Sequence, residues 1–146
     1  MHKVLFVCHG NICRSPMAEF VMKDLVKKAG MADQFRIASA AVSREEIGNP
    51  VYPPARRELA RHGISCDGHA AHQITRSELE TYDRIYYMDG SNARYLQRLF
   101  GSDAAKCQPL LNHDVADPWY TGNFTATWED ILEGCTRILE EYTHES

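Results

Sequence analysis

Residues 3–25 read Lys3-Val4-Leu5-Phe6-Val7-Cys8-His9-Gly10-Asn11-Ile12-Cys13-Arg14-Ser15-Pro16-Met17-Ala18-Glu19-Phe20-Val21-Met22-Lys23-Asp24-Leu25. Residues 3–7 are almost wholly apolar and predict a strand buried on both faces, as in a parallel sheet. Ser15 is a good N-cap, and Pro16 suits a first helical position, where a missing N–H costs nothing, so a helix is expected from Ser15. Met17, Phe20, Val21 and Leu25 form its apolar stripe. Lys27 and Lys28 suit the negative end of its dipole, and Gly30 suits its termination.

The pattern set by this strand, turn and helix recurs along the chain. Further strands are expected over residues 35–40, 84–88 and 106–111, the last weakened by Pro109. Helices are expected over 55–62, stopped by Gly63, and over 92–100, closed by Gly101. Thr75 and Glu78 form a capping box for a short helix ending near Tyr82. Thr127 is expected to cap a closing helix whose stripe is Trp128, Ile131, Leu132, Cys135, Leu139 and Tyr142. Residues 43–54, with Pro50, Pro53 and Pro54, and residues 112–124 read as loops. Strands alternating with helices predict an α/β fold: one domain over residues 1–146, a parallel sheet with helices on both faces. In such sheets ligands bind beyond the carboxyl ends of the strands. The loops after Val7, Ala40, Met88 and Leu111 should therefore share one end of the molecule.

With 146 residues, the chain can bury a core without disulfides. Sixteen basic against twenty acidic residues give a net charge of -4, with no basic stripe, which argues against nucleic acid as a partner. No apolar run is long enough to span a membrane. The first strand starts almost at Met1, so no signal peptide is expected before it. Cys8, Cys13, Cys66, Cys107 and Cys135 are an odd, scattered set, not a disulfide framework, and point to a reducing, cytoplasmic setting. No metal-ligand spacing is present, and no cofactor is expected.

The turn after the first strand carries the chemistry. Successive N–H groups curling into a helix N-terminus make a nest for an anion. Gly10 and Asn11 tolerate the left-handed backbone that the curl needs. Arg14 closes the ring with a planar fork that fits two phosphate oxygens. The same donors favour a thiolate at Cys8, and Ser15 can donate a hydrogen bond to its sulfur. A lone cysteine at a strand end is ordinarily a small core residue; here its distance from Arg14-Ser15, across Gly10-Asn11, makes it a candidate nucleophile.

The run Cys8-His9-Gly10-Asn11-Ile12-Cys13-Arg14-Ser15, with Asp117-Pro118-Trp119-Tyr120 late in the chain, resembles the low-molecular-weight protein tyrosine phosphatases. The similarity continues through Ser39-Ala40-Ala41, Arg61-His62-Gly63-Ile64, Gln73-Ile74-Thr75 and Met88-Asp89. It implies a sheet of four parallel strands ordered 2-1-3-4. It implies that Cys8 attacks phosphorus and forms a phosphocysteine, which water then hydrolyses. Asp117 would protonate the departing phenolate and then act as base, while the loop amides and Arg14 stabilise the phosphoryl oxygens. His9, Gly10, Asn11, Ile12, Cys13 and Ser15 would line the phosphate site, with Trp119 and Tyr120 walling its entrance. Ser39 and His69 would hold Asn11, and Asp89 would orient Arg14. Phosphotyrosine proteins or small aryl phosphates are the implied substrates, with inorganic phosphate as product and competing ligand. Cys13 would protect Cys8 by forming a disulfide with it under oxidation. His72 reads as a bystander.

One position departs from that pattern. Many members carry an aromatic beside the substrate ring in the loop after the second strand, and Glu45 stands there. It offers no stacking surface, so fewer ring contacts and poorer use of acidic phosphopeptides are expected. Three other chemistries share parts of the motif. A protein arginine phosphatase of the same fold tends to carry Thr where this chain has Ile12. An arsenate reductase needs two further cysteines close together, whereas Cys66 and Cys107 lie 41 residues apart. A phosphate-binding or phosphocarrier module without turnover would have no use for Asp117.

Overall fold

The computed structural model describes residues 1–144. Strands β1 (His2–Cys8), β2 (Phe35–Ala41), β3 (Arg84–Tyr87) and β4 (Cys107–Pro109) form one parallel sheet, ordered β2-β1-β3-β4. The helices are α1 (Arg14–Lys28), α2 (Pro53–Arg61), α3 (Arg76–Thr81), α4 (Gly90–Phe100), α5 (Pro118–Thr121) and α6 (Phe124–His144). The central strand explains its own composition. Val4, Phe6 and Cys8 pack into a core with Met17, Val21, Leu59 and Ile131 from α1, α2 and α6. Leu5 and Val7, on the other face, pack with Leu79 and Leu96 from α3 and α4. Both faces of β1 are covered, so it has no polar alternation.

Several element ends differ from the sequence reading. Helix α1 starts at Arg14 after Cys13, with no side-chain cap, and Ser15 lies inside its first turn. Ser15 is drawn off capping because its hydroxyl serves the site below. Pro53 and Pro54 open α2 instead of belonging to the preceding loop, since neither lost N–H is needed in a first turn. Helix α4 begins at Gly90, two residues early, because Asp89 caps it with Asn92 as its box partner. Strand β4 is only three residues long and gives way to Leu110 and Leu111, which turn into the core. The expected loop 112–124 contains α5, capped by Asp117. Thr127 is not a cap. Asn123 Oδ1 accepts from Ala126 N–H at 3.0 Å, and buried Thr127 sits one turn inside α6. The Thr75–Glu78 capping box is present as read.

Gly134 lets α6 approach the end of β4. A Cβ there would lie 2.5 Å from Leu110 Cγ, and Leu110 is itself buried and cannot swing aside. Alanine ordinarily gains about 1 kcal/mol over glycine within a helix, but overpacking of this kind costs about 1–3 kcal/mol. Gly134→Ala should therefore lower the melting temperature by a few degrees. A rise on thermal unfolding would show that this contact is looser than described.

Candidate active site

Four loops at the carboxyl ends of the strands meet as expected. Cys8, His9, Gly10, Ile12, Cys13 and Arg14 follow β1; Glu45 and Glu46 follow β2; Asp117, Trp119 and Tyr120 follow β4. Together they line a cavity of about 240 Å³. Asp89, after β3, reaches Arg14 from behind. A larger depression of about 620 Å³ between α2 and α6 has no cysteine, histidine or carboxylate in its wall, so the smaller cavity is the chemical one.

The loop after β1 is built to leave donors free. Its carbonyls turn outward: Val42 N–H donates to Cys8 O at 2.9 Å, Ser43 N–H to His9 O at 3.0 Å, and Tyr52 N–H to Ile12 O at 2.8 Å. Among the described residues, no acceptor takes the N–H groups of residues 9–13. Asn11 makes the curl, with φ of 61°, and among the described residues it is the one non-glycine at positive φ. Such a backbone costs about 1–2 kcal/mol and needs support.

That support is a chain of hydrogen bonds whose directions are fixed by a buried carboxylate. Ser39 Oγ donates to Glu19 Oε1 at 2.5 Å. The Asn11 amide donates to Ser39 Oγ at 2.9 Å and to Ser15 Oγ at 2.8 Å, using both of its hydrogens. Ser15 is left with its own hydrogen, which can reach Cys8 Sγ at 3.1 Å. His69 Nε2 donates to Asn11 O at 2.7 Å, which sets its tautomer. His72 is no bystander, since its backbone N–H donates to Asn11 Oδ1 at 3.3 Å while its ring pairs with Glu78. Sequence reasoning missed Glu19, although a lone carboxylate between Ala18 and Phe20 on a packed helix was a readable signal.

Arg14 is 2 % exposed. Its Nη1 hydrogens go to Asp89 Oδ2 at 2.8 Å and Val115 O at 2.6 Å, while Nη2 lies 3.5 Å from Asp117 Oδ2. Burial alone would push the guanidinium down, but the charges of Cys8, Asp89 and Asp117 outweigh it and hold it above its ordinary value. Asp89 and Asp117 use the same device. Each caps a helix with Oδ1, to Asn92 N–H at 2.9 Å and Trp119 N–H at 3.1 Å, and turns Oδ2 towards Arg14. The Cys13 thiol is pushed far up by burial first, and then by the charges of Cys8 and Asp117, so it stays protonated.

The remaining expected residues are also at the mouth. Trp119 and Tyr120 are exposed, and Trp119 leans on Tyr52 at 4.8 Å. His9 Nε2 lies 2.6 Å from Glu45 Oε2. Glu46, not singled out from the sequence, lines the same wall.

The sequence pattern of the low molecular weight phosphotyrosine protein phosphatases matches residues 3–146. The chain belongs to that family. A Bacillus subtilis member, the low molecular weight protein-tyrosine-phosphatase YfkJ, is 40% identical over 147 residues, covering 95% of this chain and 94% of its own. The Rattus norvegicus low molecular weight phosphotyrosine protein phosphatase is 40% identical over 152 residues, covering 97% and 95%. The crystal structure of YfkJ superposes with a TM-score of 0.95 at 38% identity, covering all of this chain and 97% of that one. The structure of a Drosophila arginine phosphatase superposes at 0.86 with 32% identity, covering 96% and 97%. The family's four-stranded sheet, ordered 2-1-3-4, is the sheet described above.

Proposed function

We propose that this member of the low-molecular-weight phosphatase family hydrolyses phosphotyrosine and aryl phosphate monoesters through a phosphocysteine on Cys8, as one catalytic domain over residues 1–146. The observation that carries the reading is that Cys8, Arg14 and Asp117 line one cavity.

The free N–H groups of residues 9–13 and the Nε–Nη2 edge of Arg14 hold three phosphoryl oxygens. Asp89 and Val115 fix the guanidinium so that little reorganisation is needed as charge develops. The sulfur attacks phosphorus in line, the P–O bond to the phenol breaks, and the Asp117 carboxyl gives its proton to the leaving oxygen. Water then attacks phosphorus, Asp117 takes its proton, and the Cys8 thiolate leaves, eased by the Ser15 hydroxyl. Product phosphate fits the same cup and competes with substrate. Trp119 and Tyr120 flank the ring.

Ile12, buried at the cavity wall, supports an aryl substrate over phosphoarginine. Hydrolysis of p-nitrophenyl phosphate in EDTA, with phosphotyrosine preferred over phosphoarginine, tests the reading; turnover of phosphoarginine alone would overturn it. The five free cysteines support a reducing, cytoplasmic setting.

Cys13 lines the same cavity as Cys8, which supports a role in guarding it. Peroxide would convert the Cys8 thiolate to a sulfenic acid, and the Cys13 thiol would displace water from it to give a disulfide. Peroxide-treated wild type should then regain activity with a thiol reductant, and Cys13→Ser should regain much less. Equal recovery would remove this role.

A further inference from the structure

The two sides of the cavity mouth differ in kind. One part of its lining is aromatic, Trp119 and Tyr120, with Tyr52 packed against Trp119. The other is carboxylate, with Glu45 and Glu46. The carboxylate side is locked onto the phosphate-binding loop. Ser43 N–H donates to His9 O, and a Cβ on Gly10 would lie 3.1 Å from Glu46 Cγ, so the Glu46 stem lies over Gly10. Asn49 Nδ2 donates to Glu46 Oε2 at 2.6 Å. Glu45 accepts from His9 Nε2, whose ring is braced edge-on by Tyr95 at 5.4 Å. The Glu45 side chain is nonetheless 67% exposed. It is an oriented carboxylate with one face on His9 and the rest open to whatever flanks the phosphoryl-bearing ring.

We propose that Glu45 is a specificity-determining residue that selects phosphotyrosine peptides with a lysine or arginine next to the phosphotyrosine, and rejects those with acidic flanks. The inference rests on the phosphatase reading and names its substrate class. Arg14, the fixed cation of the cavity wall, is committed to the phosphoryl group and to Asp89 and Asp117. Among the described residues, the ion pair recorded for Glu45 is with His9, and Glu46 is paired with a neutral amide. A flanking cation meets attraction at this wall, and a flanking carboxylate meets repulsion. At a solvated site each effect is modest, but together they separate the two peptides. Because the carboxylate is exposed, salt must weaken the discrimination.

The test compares two phosphotyrosine peptides of identical sequence except for lysines or glutamates beside the phosphotyrosine, each as kcat/KM. Wild type should prefer the lysine peptide by about three- to tenfold at low ionic strength, and the preference should shrink at high salt. Glu45→Gln keeps an acceptor for His9 and removes the charge, so the ratio should fall towards one. Glu45→Lys should invert it. Equal use of both peptides by the wild type, or a preference unchanged in both variants, would overturn the inference while leaving the phosphatase reading standing. Failure to hydrolyse either peptide or p-nitrophenyl phosphate would overturn both.

Discussion

Replacing Cys8 with serine is expected to abolish turnover, lowering kcat for p-nitrophenyl phosphate by at least about 10⁴-fold. The substitution changes one atom at the end of β1, in a residue 3% exposed. It leaves the free amides of residues 9–13, Arg14 and Asp117 in place. On the proposed mechanism it removes the nucleophile: a serine hydroxyl is not ionised at neutral pH, and among the described residues the side chain hydrogen-bonded to this position is the Ser15 hydroxyl, not a carboxylate or imidazole. The Ser15 hydroxyl, 3.1 Å from Cys8 Sγ, is not a base. Phosphate binding should persist in Cys8→Ser, because the donors that hold phosphate are untouched. Loss of phosphate binding together with activity would mean that the variant had lost the cup, and residual turnover near wild type would remove Cys8 from the chemistry. Binding by calorimetry and turnover by absorbance separate these outcomes.

The second large effect belongs to Asp117→Asn. Asparagine keeps an acceptor for Trp119 N–H, so the cap of α5 should survive. On the proposed mechanism what is lost is the proton for the leaving oxygen, worth about 10²–10⁴-fold in rate. The deficit must depend on the substrate. A nitrophenolate leaves well without help, whereas phenolate or tyrosine does not. The loss in kcat/KM, which reports the first step, should therefore be small for p-nitrophenyl phosphate and large for phenyl phosphate, while kcat for p-nitrophenyl phosphate falls because the second step lacks its base. Equal deficits in kcat/KM for both substrates would assign Asp117 to positioning Arg14, 3.5 Å away, and not to acid catalysis.

The parts of this site that were legible in sequence are those where one residue type carries a physical requirement alone. An apolar run between two layers, a Gly-Asn curl and an arginine before a serine each imply their geometry. The Thr75–Glu78 box was readable because both partners lie within one turn. What could not be read were roles that depend on distant chain. Ser15 looks like a cap until Asn11, itself held by Ser39 of the neighbouring strand, is seen to bond its hydroxyl. His72 looks idle until the fold brings its backbone to Asn11. Asp89 and Asp117 were read as Arg14's partner and as the acid, but not as paired helix caps. That double use appears only when two loops 28 residues apart in sequence meet over one guanidinium. The starts of α4 and α6 moved for a local reason, since Asp89 and Asn123 accept the N–H three residues on and so cap helices read from the sequence as starting later.

The covalent intermediate is the claim on which the rest depends. Asp117→Asn should be quenched during turnover of an aryl phosphate with a good leaving group, when loss of the base slows the second step. The peptide carrying Cys8 is then examined by mass spectrometry under conditions that preserve thiophosphates. A phosphoryl group on Cys8, absent in a Cys8→Ser/Asp117→Asn control, is the predicted result. Continued turnover with Cys8 unmodified, or the phosphoryl group on another side chain, would contradict it.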